Sequence, residues 1–136
     1  MKIERFEDME IWKEARELSK VIYMLSSKGP FENDYRFRDQ IRSAAGSIMD
    51  NTAEGFGRGG NKEFINFLSI SKGSCEEVRS QAYRAADFGY INSDELNLLL
   101  GSTNTIARKI NNLVTYLKSS SHKGPKYHIN TPNSEP

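Results

Sequence analysis

The run from Gln40 to Gly60, QIRSAAGSIMDNTAEGFGRGG, constrains the fold more than any other part of the chain. Ile41, Ala44, Ala45, Ile48 and Thr52 recur at the spacing of a single helical face. Ala44, Ala45 and Gly46, with Ser47, make that helix narrow, and a second helix can approach it closely. Gly55, Gly57, Gly59 and Gly60 follow, and are expected to stop the helix near Glu54, because glycine enters the left-handed region without steric cost.

Three more helices are expected around this one. The first has Asp8 as its candidate N-cap and runs to about Ser27, where Lys28-Gly29-Pro30 ends it. Phe31 to Asp34 is expected as a short connection to the second, the helix just described. The third is capped by Asn61 and runs to about Phe88, with Phe64, Leu68, Ser71, Cys75, Val78, Ala82 and Ala85 on its inner face. Gly73, in its middle, costs about 0.5–1 kcal/mol relative to alanine. Close contact with the small residues of helix two, or with another subunit, is the expected compensation. The fourth starts at a capping box, Asn92 with Glu95, and runs to Lys118 on a long leucine- and isoleucine-rich face. Nothing between Met1 and Lys118 reads as a strand. The expected fold is all-α, an antiparallel up-down-up-down four-helix bundle over residues 1–118. The polar, aperiodic stretch 119–136 reads as a disordered tail.

Composition limits function more than it defines it. The chain has 136 residues, 19 basic and 18 acidic. With Lys123, Lys126 and Glu135 in the tail, 17 of each sign remain before it. A balanced body argues against a strong nonspecific polyanion binder. No apolar run is long enough to span a membrane, and the charged N-terminus is unlike a secretory signal. The single Cys75 fits a reducing, cytoplasmic setting.

Catalytic and cofactor constellations do not assemble. Gly55-Phe56-Gly57-Arg58-Gly59-Gly60 matches G-x-G-x-x-G formally, yet a helix precedes it where a dinucleotide site needs a strand. A di-metal carboxylate bundle needs Glu-x-x-His, and both histidines, His122 and His128, lie in the tail. The same absence removes Ser-His-Asp and Cys-His catalysis. The expectation is therefore no enzyme, no cofactor, no metal and no evident small-molecule substrate. Two groups stand out instead. Arg36, Arg38 and Arg42 crowd the N-terminal half of helix two, the dipole's unfavourable end for cations. Acids such as Asp39 are their expected partners; with Arg58, they otherwise form an anion or nucleic-acid surface. Asn51 and Glu54 are read as a structural polar network tying the glycine corner to a neighbour.

A family resemblance runs through these same residues. Phe6-Glu7-Asp8-Met9-Glu10-Ile11-Trp12, with Ala15, Leu18 and Ile22-Tyr23, resembles the opening helix of the 23S rRNA-intervening sequence proteins. Gln40-Ile41-Arg42 through Ser47-Ile48, Asn51-Thr52-Ala53-Glu54-Gly55, and Gly73-Ser74 with Glu76 and Glu77 resemble that family's further motifs, in order. The resemblance implies a four-helix bundle and a homo-oligomer, in the form of a pentameric ring. It extends to the accessory protein of diversity-generating retroelements, which works with nucleic acid and a reverse transcriptase. The expected function is a non-enzymatic oligomeric scaffold or binding module for RNA or a nucleic-acid-processing partner. A purely protein–protein module is the alternative, with Ile11, Met24, Met49, Phe56 and Ile70 at its interfaces.

Overall fold

In the computed structural model, which describes residues 2–120 and 127–128, the apolar periodicity resolves into helices α1 (Glu10–Leu25), α2 (Gly29–Asn33), α3 (Tyr35–Gly57), α4 (Asn61–Asp87) and α5 (Ser93–Ser119). The protein is all-α in character, with four long helices among the described residues. Ile11, Ala15, Leu18 and Ile22 bury one stripe of α1. Asp8 does not cap it: Asp8 lies in a 3₁₀ turn (Phe6–Asp8), its N–H bonded to Arg5 O at 3.1 Å. Met9 holds the cap position without a side-chain cap bond and is 1% exposed. Burial of that thioether, rather than capping, sets where α1 begins.

The connection after α1 carries more structure than its length suggests. Ser26 and Ser27 bond back to Tyr23 O at 3.3 and 2.7 Å, and α1 ends at Leu25. Gly29, at φ 53°, turns the chain and opens α2. Pro30 sits in the first turn of α2, where a missing N–H leaves no helical bond unmade. The expected Phe31–Asp34 connection is thus largely helix. It exists to seat Phe31, which stacks on Phe37 at 5.5 Å and on Tyr90 at 5.0 Å.

The glycine corner also differs from expectation. α3 continues through Gly55 to Gly57, and the left-handed turn falls at Gly59, φ 88°. Gly55 is buried inside the helix because a β-carbon there would lie 2.5 Å from Phe67 Cβ. Asn61 is not a cap. Gly60 takes the cap position, and the Asn61 amide donates instead to Leu117 O at 2.9 Å and Ser120 O at 3.1 Å. At the other end of α4, Gly89 at φ 77° reverses the chain, and the Asn92–Glu95 capping box forms with both bonds at 2.8 Å.

The core is a single apolar cluster drawn from all four long helices. α3 packs along α1 and α4, and α5 packs along α4 and α1. Lys109 of α5 pairs with Glu14 of α1 at 2.8 Å. Ile11 and Phe56 belong to this core, which corrects their assignment as interface residues; Met49 is partly buried, while Met24 and Ile70 are exposed. A strand is also present where none was expected. Lys2–Ile3 pairs antiparallel with Tyr127–His128, and Ile3 is buried. The remaining tail residues, 121–126 and 129–136, to which the disordered-tail expectation mostly applies, lie outside the described residues. No helix among the described residues is long and apolar enough to cross a membrane.

Candidate functional site

The arginines of α3 sit in unequal surroundings. Arg42 is committed to the fold. Its Nε donates to Ser26 Oγ at 2.7 Å, an Nη donates to Ser27 Oγ at 2.9 Å, and the guanidinium lies 4.3 Å from the Tyr23 ring centroid. It therefore bonds hydroxyls at the C-terminal end of α1, where the helix dipole favours a cation, and not an acid. Ser26 is fully buried. Arg42→Ala leaves that hydroxyl without its charged donor and is expected to cost about 1–2 kcal/mol, read as a lower midpoint in urea with unchanged slope.

Arg38 pairs with Asp39 at 3.0 Å, donates to Glu32 O at 3.0 Å and lies 4.9 Å from the Tyr35 ring. Arg36 is exposed and has no hydrogen-bond or ion-pair partner among the described residues. Arg58 stands apart: 16 residues of helix separate it from Arg42, about 24 Å of axis. It pairs with Glu54 at 2.9 Å and covers the Phe67 ring at 5.1 Å. The four arginines thus do not form one patch on the chain.

A residue not singled out in the sequence completes the end that Arg36 and Arg38 occupy. Arg84, in the last turn of α4, lies 4.5 Å from the Phe37 ring, and Phe88 meets Phe37 edge-on at 5.8 Å. The arginine at the favourable end of the α4 dipole was the available signal. Tyr35 and Phe88 remain 64% and 53% exposed. Tyr90 donates to Asp34 Oδ2 at 2.7 Å, and this hydrogen bond holds the phenol's pKa above its ordinary value. Glu32, Asp34, Asp39 and Asp87 interleave with the arginines, so the end is arginine- and aromatic-rich yet close to neutral.

Asn51 and Glu54 part company. Asn51 donates to Ser47 O and Ser47 Oγ, both at 2.9 Å, and Ser74 of α4 donates to the same Ser47 Oγ at 2.9 Å. One turn along, Thr52 and Ser71 hydroxyls meet at 3.1 Å, and Ser71 donates to Ile48 O at 2.9 Å. This hydroxyl seam stitches α3 to α4. Glu54 is outside it, exposed and paired with Arg58.

Ala44 and Ala45 are buried in the core. Gly46 and Gly73 make no close approach among the described residues, since a β-carbon at either would meet nothing within 4 Å. The close approach occurs at Gly55. Burial pushes the Cys75 thiol up from its ordinary 9.0 to about 12, so it stays a neutral thiol at physiological pH and is a small core residue rather than a nucleophile.

The profile of a protein family described as 23S rRNA-intervening sequence protein matches residues 7–112. No curated protein matches the chain.

Proposed function

Because the chain belongs to the 23S rRNA-intervening sequence protein family, we propose that it is a non-catalytic helical binding module, cytoplasmic and built from several copies, that presents its arginine–aromatic end to single-stranded nucleic acid. The observation that carries this reading is the gathering of Arg36, Arg38 and Arg84 with exposed Tyr35 and Phe88 at one end of the bundle. Unpaired bases stack on aromatic rings and on guanidinium planes, and duplexes offer no such faces. The interleaved acids make stacking, rather than bulk charge, the leading contribution.

The bundle geometry behind this reading is an up-down-up-down succession. Phe37 near the start of α3 meets Phe88 beyond the end of α4, and Asn61 at the start of α4 reaches Leu117 near the end of α5. Arg42 likewise meets Ser26 just past the end of α1. Antiparallel neighbours account for all three. Assembly into a ring, five-membered by the resemblance, repeats the arginine–aromatic end around an axis and raises its local potential.

Fluorescence-anisotropy titration against labelled single strands and duplexes, over a salt series, tests the proposal. Single strands should bind more tightly than duplexes. Two to four phosphates neutralised on a single strand would give a slope of log affinity against log salt of about −1.4 to −2.8. Tyr35→Ala should weaken binding about tenfold, within the range for one stacked base. No binding at low salt would overturn the nucleic-acid reading and leave a protein–protein module, which exposed Met24 and Ile70 favour.

A further inference from the structure

Tyr23 is an exposed ring that the fold holds in place. It is 60% exposed near the end of α1, yet its carbonyl accepts from Ser26 Oγ at 3.3 Å and Ser27 Oγ at 2.7 Å. The same two hydroxyls accept from the Arg42 guanidinium at 2.7 and 2.9 Å, which sets it 4.3 Å from the Tyr23 ring centroid. Ser26 is fully buried, so this support is rooted in the core. Arg42 reaches over from α3 and covers one side of the ring, and the ring's exposure leaves the opposite side open. An aromatic ring fixed before any ligand arrives has already lost the freedom that binding would otherwise cost it.

Tyr23 lines an open depression of about 450 Å³ with Ser19, Lys20 and Met24. That volume lies in the range of small-ligand pockets. None of the four lining residues is acidic, and Lys20 puts an ammonium at the rim. Lys20 pairs with Glu17 at 3.1 Å, but both side chains are more than half exposed. A surface pair of this kind is weak, and the ammonium can turn to a phosphate.

The charge behind the ring decides between occupants. A tyrosine face attracts a cation through its quadrupole, and here a guanidinium already draws on that density from one side. A second lysine or arginine on the open side therefore gains less. A nucleobase, stacking through its own π-face, meets no such penalty. Ring, guanidinium backing and rim ammonium together suit a nucleotide better than a basic peptide.

The position also continues the arginine–aromatic end. Arg38 lies 4.9 Å from the Tyr35 ring as Arg42 does 4.3 Å from that of Tyr23. The two arginines are one turn apart on one face of α3, about 6 Å of axis. Stacked bases rise about 3.4 Å per nucleotide, so a strand reaches from one ring–guanidinium pair to the other within a few nucleotides.

We propose that Tyr23, backed by Arg42, is a second base-stacking platform. A single strand seated at the arginine–aromatic end runs down the α1–α3 flank, with a base in the Tyr23–Met24 depression and a phosphate at Lys20. This rests on the single-strand reading above and adds a position outside the end that carries it. Arg42 is here a positioning residue, which touches the ring and not the base.

Anisotropy titration of the full chain with a labelled single strand of about ten nucleotides tests it, within the site sizes such strands occupy. Tyr23→Ala should weaken binding about tenfold, the range for one stacked base, while Tyr23→Phe keeps wild-type affinity. Tyr23→Trp gives a direct readout: its fluorescence should be quenched as the strand binds. Trp12, about 16 Å away along α1, supplies a constant background. All three variants should keep the far-ultraviolet helical signal, since the ring is exposed. Suppose wild type binds and Tyr35→Ala weakens it, while Tyr23→Ala does not and Tyr23→Trp is not quenched. The Tyr23 platform is then wrong and the end reading stands alone. An equal loss in Tyr23→Phe and Tyr23→Ala would assign the contact to the hydroxyl and overturn stacking. If wild type binds no single strand, both readings fail together, and the depression is left to a protein partner.

Discussion

Phe31→Ala should lower the thermal midpoint by roughly 10–20 °C, the equivalent of about 3–5 kcal/mol for truncating a buried phenylalanine. Phe31 is 2% exposed and lies in a five-residue helix that has no other buried residue. Its ring stacks on Phe37 and Tyr90, which in turn contact Phe88. Removing it therefore opens a cavity beneath several aromatics at once and takes away the only apolar anchor of α2. Differential scanning calorimetry reads the midpoint. A loss of under about 1 kcal/mol would show that the aromatic cluster closes over the gap and that α2 is dispensable to the fold. Because the same cluster supports exposed Phe88, the substitution should also weaken the nucleic-acid binding proposed for that end.

Gly55→Ala should destabilise by about 1–3 kcal/mol, although alanine is ordinarily the better helix former. The added methyl would lie 2.5 Å from Phe67 Cβ and 3.1 Å from Phe64 Cδ1. A β-carbon is fixed to its own backbone and cannot rotate away, so α3 and α4 must separate. Gly101→Ala is the matched control. That glycine lies within α5, where a β-carbon meets nothing within 4 Å, and the change should stabilise by about 0.5–1 kcal/mol. Chemical denaturation of both variants checks the pair. Equal signs would mean that the helix contact at Gly55 is looser than the structure shows.

The four long helices were legible in the chain because each carries a local, periodic signal. The stripe from Ile41 to Thr52 and the Asn92–Glu95 box depend only on residues within one or two turns. What escaped depends on distant partners. Asn61 has the chemistry of a cap, but its amide donates to carbonyls 56 and 59 residues away, and its oxygen, the atom a cap uses, meets no donor among the described residues. Arg42 was expected to seek an acid and instead bonds two serine hydroxyls. Glycines carry the same ambiguity. Gly55 reads as a helix stop, yet it is the point where two helices touch, whereas Gly46 and Gly73, which read as contact points, face outward. A glycine's identity announces either a turn or a close approach, and only the tertiary neighbour decides between them. The candidate site was half legible. Arg36 and Arg38 were evident as a cluster, but Arg84 joins them only through its tertiary contact with the Phe37 ring of α3.

The Asn61 clamp has a consequence for how the bundle opens. A helix ordinarily loosens first at its ends, where the final carbonyls have no intrahelical donor and each turn melts by itself. Here the final carbonyls of α5 are held by a side chain rooted in the first turn of α4. Fraying at that corner therefore ceases to be a private event of either helix. The terminal turn of one and the initial turn of the other are released together, and the two ends share a single opening free energy.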